Sequence, residues 1–222
     1  KLAAGAPLSE HDALSLLASY GISTAKCCLV SNQQEVAEVG LNVAYPVVLK
    51  TAAPGVLHKS DVAGVILDIP DTPSLIRAYT EMHGRLGAAA IVAEMAPKGI
   101  ELALGAVVDP QWGPIVLISA GGVLMELLDD KAAALAPLSR DEAAAMVASL
   151  KIDRLLDGYR GSKPVDRESV IDGIVRLSWL VADFAGLISE IDVNPLIVSA
   201  DGCIAVDALI IPQSSNHRVE PE

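Results

Sequence analysis

Apolar and polar positions alternate along the chain with two different periods. Behind Ser9-x-x-Asp12, Ala13, Leu14, Leu16 and Leu17 fall on one stripe of a helix. That spacing resembles a capping box, in which side chains satisfy the free N–H groups of a helix start, and Gly21 ends the segment. A short strand is predicted at Cys27 to Val30, and Ser31-x-x-Gln34 then opens a second helix. Pro46 to Lys50 reads as a buried strand and Ala63 to Ile69 as another. Pro73, in a helical first turn where its missing N–H costs nothing, begins a helix running to about Leu86.

The middle of the chain changes character. Ala90 to Met95, Ile100 to Asp109 and Pro114 to Ser119 are apolar runs separated only by "APKG" and "DPQWG". Such turn chemistry predicts antiparallel strands rather than crossovers. Ser139-x-x-Glu142 caps a helix to about Leu150, and Asp166 opens a long one to about Phe184. "LISEIDVNPLIVSADGCIAVDALII" reads as two strands around an Asp-Gly turn, and the polar residues from Pro212 onward as a disordered tail. Helices and strands mix without a regular βαβ rhythm. The fold class is therefore α+β: two antiparallel sheets with helices on their outer faces.

Composition narrows the function. Of 222 residues 52% are apolar, enough for one large domain or two small subdomains with their own cores. The longest apolar stretch, "PIVLISAGGVLMELL", is too short for a bilayer and holds Glu126, and no signal-peptide pattern opens the chain, so a cytoplasmic protein with no membrane partner is expected. A net charge of -12 argues against nucleic acid, whose phosphates are held by surplus Lys and Arg. Any phosphate-bearing ligand must then be small and bound by local cations. The three cysteines have neither disulfide nor metal-ligand spacing and read as small buried side chains.

Candidate chemistry sits in two stretches. In the terminal hairpin, a loop from Ser199 to Gly202 pairs Val198 with Cys203 and sets Asn194 opposite Asp207; a tighter loop pairing Ala200 with Cys203 makes them diagonal neighbours. Either register leaves a carboxylate and an amide oxygen within roughly 5 to 8 Å. Asp192 shares that face. Such oxygen donors suit Mg²⁺ shared with nucleotide phosphates better than Zn²⁺, or form a solvated polar face. In "PVVLKTAAPGVLHKSDVAGV", Lys50 ends an apolar strand and either snorkels to water or offers a point charge to a phosphate. The following loop carries Gly55, His58, Lys59, Ser60 and Gly64, without the spacing of a Walker loop. His58, flanked by Lys59 and near Asp61, has a tunable imidazole able to accept a phosphoryl group. Glu94 and Glu101 bracket "EMAPKGIE" and either bond a ribose or amine or face solvent. Gly121-Gly122 permits close backbone approach.

These pieces, in this order, resemble the ATP-grasp domain of the nucleoside-diphosphate-forming acyl-CoA synthetases, the superfamily of ADP-forming acetyl-CoA synthetase and succinyl-CoA synthetase. The matching segments are "YPVVLK", "LHKSDVAGV", "ELALGAVVDPQWGP", "GGVLMELL", "LAPLS", "GYRG" and "EIDVNPL" with "AVDALI", from about Leu8 to Ile211. The resemblance implies a fold of two α+β subdomains holding ATP or ADP between antiparallel sheets. The smaller would span about residues 22–95, the larger about 96–211 with the N-terminal helix, and 212–222 the tail. It implies that Lys50 contacts phosphates and that the loop with His58 and Lys59 closes over them. Glu94 would lie beside the adenine hinge, Glu101 at the ribose, and Asn194 and Asp207 would ligate Mg²⁺. The implied reaction is acyl-CoA + ADP + phosphate to carboxylate + CoA + ATP, through an acyl phosphate and a phosphohistidine. His58 would be a second phosphoryl carrier and Asp192 would orient an incoming histidine.

The partners implied are CoA-binding and phosphohistidine-carrying domains, on the same longer chain or on an α subunit. The chain departs from the family pattern at Ala63, where a glycine is common, at Ala93, where a glutamine is, and at Ala132 to Ala134, where an arginine is. Those departures leave room for a second reading, a non-catalytic or regulatory ATP-grasp module like the synthetase-like part of a protein lysine acetyltransferase. A carboxylate-amine ligase is a third, against which His58 argues.

Overall fold

The computed structural model describes residues 6–56, 59–122 and 129–213. They form two compact units, one of Ala25–Ala96 and one made of Lys1–Thr24 with Pro97–Glu222.

The smaller unit has four antiparallel strands, β1 (Cys27–Val30), β2 (Val47–Thr51), β3 (Val65–Ile69) and β4 (Ala90–Glu94), in the order β1-β4-β2-β3. Helices α1 (Glu10–Ser19), which belongs to the other unit, α2 (Gln33–Gly40) and α3 (Thr72–Leu86) follow the sequence patterns closely. Helix α3 starts where Asp71 accepts the Ser74 N–H at 2.7 Å with Pro73 in the first turn, and its last turn carries Arg85, a cation suited to the negative helix end. Leu75, Tyr79 and Met82 recur at helical spacing and pack on Val47, Leu49, Ile69 and Val92 of the sheet. Burying each such side chain contributes about 1.5–3 kcal/mol. The phenol of Tyr79 remains satisfied by donating to the Ala88 carbonyl at 2.9 Å.

The larger unit holds a six-stranded antiparallel sheet: β5 (Ile100–Asp109), β6 (Gly113–Ala120), β7 (Lys131–Leu135), β8 (Ile188–Ser199), β9 (Gly202–Ala205) and β10 (Ala208–Pro212). The order is β10-β8-β5-β6-β7, with β9 pairing β8 as well. Its helices are α1, α4 (Arg140–Ser149), the single turn α5 (Asp153–Leu156) and α6 (Arg167–Asp183). One face of the sheet is apolar: Leu102, Leu104, Val116, Ile118, Ile191, Val193, Leu196 and Val198 are all buried. Val170, Ile174, Leu177 and Val181 make the matching stripe of α6, which packs across β5, β6, β8 and β9. Asp166 begins that helix by accepting the Ser169 N–H at 3.1 Å, while its own N–H donates to the Ser199 carbonyl at 2.7 Å, tying the helix start to the β8–β9 turn. Buried Asp130 plays a comparable part, accepting the N–H groups of Lys151 and Ile152 at 2.8 Å each.

The structure corrects several expectations. Helix α2 is capped by Asn32, not Ser31, because the Asn32 amide oxygen accepts the Glu35 N–H at 2.9 Å, while Ser31 donates to the Glu35 carboxylate. Glu35 is held below the usual carboxylate range chiefly by that Ser31 N–H. "APKG" is not a hairpin turn: β4 pairs with β1 and β2, and the division between the two units falls at Ala96. Strand β7 went unpredicted because alanines carry weak strand preference; it is an edge strand aligned by its pairing with β6. Pro212 closes β10 rather than opening a tail, whose residues 214–222 lie outside the described ones. Among the described residues no helix is long and apolar enough to cross a membrane.

Strand β3 begins at Val65, two residues later than expected, since Ala63 adopts φ 49°, a left-handed conformation that disfavours any side chain. Gly64 beside it has no room for a Cβ, which would stand 2.6 Å from Thr51 Cγ2 and 2.9 Å from the Lys59 carbonyl oxygen. Ala63→Gly should therefore relieve about 1 kcal/mol and raise the thermal midpoint by a few degrees. An unchanged or lower midpoint in scanning calorimetry would contradict the strain. A second expectation concerns thiols. Cys203 is buried, its Sγ donates to the Ser169 carbonyl at 3.2 Å, and burial pushes its thiol up, whereas Cys28 is exposed. A charged thiol reagent at neutral pH should label Cys28 in the native protein and Cys203 only after unfolding; equal labelling rates, read by mass spectrometry, would contradict that burial.

Candidate functional site

In the smaller unit the cation chemistry gathers at the end of β2. Lys50 is not at the mouth of its strand: Thr51 follows it in β2, and Lys50 is paired on both sides, with Ile91 of β4 and Val65 of β3. At 4% exposure it does not snorkel to water. It alternates with Leu49, which faces the helices, and so belongs to the opposite face of the sheet. A buried ammonium is tolerated only among acceptors or anions. The loop after it is tied back to the strand by two short bonds: the Thr51 N–H donates to the Gly64 carbonyl and the Gly64 N–H to the Lys59 carbonyl, both at 2.7 Å. Those bonds, around the 3₁₀ turn Ser60–Val62, hold the backbone of Lys59 close to the end of the strand that carries Lys50. His58 lies outside the described residues. Glu94 ends β4, and its carboxylate stands 3.8 Å from Lys26 Nζ in a solvent-facing pair of small energetic weight.

In the larger unit the terminal hairpin takes the first of the two registers weighed above. Val198 pairs with Cys203 and Ser199 with Gly202, and the same register continues through Ala208↔Val193 to Ile211↔Glu190. Asn194 and Asp207 face each other directly, the Asn194 N–H donating to the Asp207 carbonyl at 3.2 Å. Pro195 has no N–H to give, so β8 bulges: Asn194 and Pro195 together oppose the single residue Ala103 of β5. Across the hairpin Val206 and Asp207 break the ladder in step, with the Val206 N–H reaching the Pro195 carbonyl at 3.1 Å. The paired irregularities shift the phase of burial. Ile191 and Val193 are buried before the bulge and Leu196 and Val198 after it; on the partner strand Cys203 and Ala205 give way to Ala208 and Ile210. Asp192, Asn194 and Asp207 are thereby placed on the face away from the core.

Glu101 is on that same outward face, exposed, opposite Ile197 of β8. Gly121 runs beside it, donating its N–H to the Glu101 carbonyl at 2.8 Å. Residues 123–128, with Glu126, lie outside the described residues. One residue the sequence reading passed over is Lys131. By register it shares the outward face through Ser119 and Ala103, and it pairs with Asp129 at 2.8 Å; that hydrogen bond raises the Lys131 ammonium above its ordinary range. Its signal in the sequence was a lone cation ahead of three alanines.

The outward face is thus rich in oxygen and negative charge, which repels a bare phosphate and welcomes a cation. Among the described residues no group of three or more His, Cys, Asp or Glu could hold a metal by itself. Asp207 and Asn194 offer a carboxylate and an amide oxygen, too few for Ca²⁺ or Zn²⁺ alone but fitting for Mg²⁺, which keeps several waters and shares phosphates.

Comparison with known proteins gives the family of the chain. The sequence pattern of the ATP-grasp domain matches residues 3–211. The β subunit of acetate–CoA ligase [ADP-forming] I of Pyrococcus furiosus is 34% identical over 213 residues, covering 92% of this chain and 91% of that one. The 4-hydroxybutyrate–CoA ligase [ADP-forming] of Nitrosopumilus maritimus is 34% identical over 218 residues, covering 91% of this chain but 30% of its own length. The chain therefore spans nearly all of a separate β subunit and about three tenths of such a single-chain ligase. Among solved structures, acetyl-coenzyme A synthetase 1 of Ca. Korarchaeum cryptofilum, in complex with coenzyme A, Ca-AMPCP and HgCl+, superimposes with a TM-score of 0.88 at 36% identity, covering 94% of each chain. The same protein with coenzyme A and Mg-AMPPCP, its phosphohistidine segment pointing towards the nucleotide binding site, gives 0.84 at 37% identity, covering 93% of each. With two antiparallel α+β units, the match along nearly its whole length and these relatives, the chain belongs to the ATP-grasp domain family.

Proposed function

We propose that the chain is the nucleotide-binding part of an ADP-forming acyl-CoA synthetase, moving a phosphoryl group between a phosphohistidine and ADP in the reversible reaction acyl-CoA + ADP + phosphate to carboxylate + CoA + ATP. The observation that carries this reading is the hairpin register, unbroken past the β8 bulge, that sets Asn194 opposite Asp207, with Asp192 on the same face. The relatives named above support it, because each is a CoA ligase or synthetase of this kind.

Lys50 and Lys59 are cations suited to phosphate oxygens, and their positive charge offsets the repulsion that a nucleoside diphosphate would meet from an approaching phosphoryl donor. Asp207 and Asn194 are the residues that would hold Mg²⁺, which when bound neutralises charge on the phosphates. Glu101 accepts hydrogen bonds from ribose hydroxyls, and Glu94 lies along the base. Asp192 accepts the N–H of one nitrogen of an incoming imidazole, so that the other nitrogen, bearing the phosphoryl group, points to the terminal oxygen of ADP. His58 is the acceptor on this chain, able to take the phosphoryl group and pass it on. The acyl and CoA chemistry belongs to CoA-binding and phosphohistidine-carrying domains, on an α subunit or elsewhere in a longer chain, and the protein works in the cytoplasm.

Two measurements test the reading. ADP or ATP with Mg²⁺ should raise the melting temperature, and Asp207→Ala should remove the Mg²⁺-dependent part of that shift; a shift unaltered by the substitution would refute the metal assignment. Mixing the chain with its phosphorylated partner domain should place acid-labile phosphate on His58, and His58→Ala should stay unlabelled. Labelling that survives the substitution would move the acceptor elsewhere.

A further inference from the structure

The Gly121-Gly122 pair is left unused by the reading above, yet its surroundings are specific. Gly121 extends β6 alongside β5, and a Cβ there would lie 2.8 Å from the carbonyl carbons of both Glu101 and Leu102. Main chain, not a yielding side chain, fills that space. At Gly122 the obstacle differs: a Cβ would overlap the Oε2 atom of Glu101 and approach its Cδ to 3.4 Å. Gly122 also has φ 56°, in the left-handed region that Gly adopts without strain. The first glycine thus lets the backbones close, with the Gly121 N–H on the Glu101 carbonyl at 2.8 Å. The second leaves a recess where the Glu101 carboxylate lies.

The position of that carboxylate matters because of what lies along the sheet. Glu101 is opposite Ile197 in β8, and Asn194 is three residues further along the same strand, a separation of about 10 Å at strand rise. A carboxylate repels phosphate but accepts strongly from hydroxyls. A nucleoside diphosphate laid along this face puts its sugar diol by Glu101 and its phosphates by the oxygen pair at Asn194 and Asp207. We propose that Gly122, seated by Gly121, is a positioning residue that determines sugar specificity: it fixes the Glu101 carboxylate where it accepts from the ribose hydroxyls. The proposal deepens the nucleotide-site reading and rests on it.

The test compares Mg²⁺-dependent binding of ADP, 2′-deoxy-ADP and 3′-deoxy-ADP to the native chain and to variants by calorimetry. The native protein should prefer ADP over at least one deoxy analogue by about tenfold or more, the worth of a charge-assisted hydrogen bond. Gly122→Ala should bring that preference to about twofold or less by pushing the carboxylate aside, with the affinity for the disfavoured analogue nearly unchanged and the melting temperature lowered by the few degrees that a side chain at φ 56° costs. Glu101→Ala should reduce the preference equally, and the double variant should lose no more of it than either single one. Should Gly122→Ala fail to fold, Gly122→Asn replaces it, since Asn tolerates the left-handed backbone. A preference that persists in the Gly122 variant, or that is absent in the native protein, overturns the proposal while nucleotide binding itself stands. No Mg²⁺-dependent binding of any of the three by the native chain overturns both readings.

Discussion

A proline that cannot donate a hydrogen bond, set inside a paired strand, governs the larger unit. Pro195 lies in β8 between β5 on one side and the β9–β10 edge on the other, where an ordinary ladder would require its N–H. The strand bulges there and the opposite edge breaks in step at Val206-Asp207, so the hydrogen-bond register runs on unbroken while the in-out alternation moves by one residue. Without that shift, either the outer or the inner half of β8 would turn its apolar set to solvent. The same irregularity presents Asn194 and Asp207 outward as a facing pair. Packing and candidate chemistry thus share a cause, and a substitution that regularised the ladder would disturb both.

The smaller unit meets a different constraint. Every residue of β2 is buried, Lys50 included, so a strand made for a core also carries a charge. Such a cation is expensive to keep out of water unless acceptors surround it. The loop beyond relies on Gly64, whose bare Cα lets Thr51 and the Lys59 carbonyl come close, and on Ala63, which endures a backbone made for glycine. Alanine at that backbone carries a modest stability cost.

Much of this was legible in the sequence, and for identifiable reasons. Helix starts declared themselves through local side-chain to backbone bonds, as at Ser9, Ser139 and Asp166, which involve only residues three apart. The terminal hairpin was legible as a pair of strands with its register open between two choices, but the bulge at Asn194-Pro195 was not legible, because it depends on β5, about ninety residues away in sequence. Strand β7 escaped notice since Lys131 and its alanines gain strand form only from β6. "APKG" misled because a turn and a crossing between units use the same residues. Lys50 looked like a strand end because burial on both flanks comes from β3 and β4, neither adjacent in sequence to β2. Glu101 showed as a candidate, but not the glycine recess beneath it.

The bond from the Asp166 N–H to the Ser199 carbonyl has a dynamic corollary. Helix α6 cannot fray from its first turn without releasing the tip of the β8–β9 hairpin, and the hairpin cannot loosen without uncapping the helix. Fluctuations of the longest helix and of the strand bearing Asp192 and Asn194 are joined into one cooperative opening, whose free energy is set by the buried stripe of α6 rather than by the turn. The oxygen pair is therefore carried on a strand whose hairpin tip is tied to the start of α6.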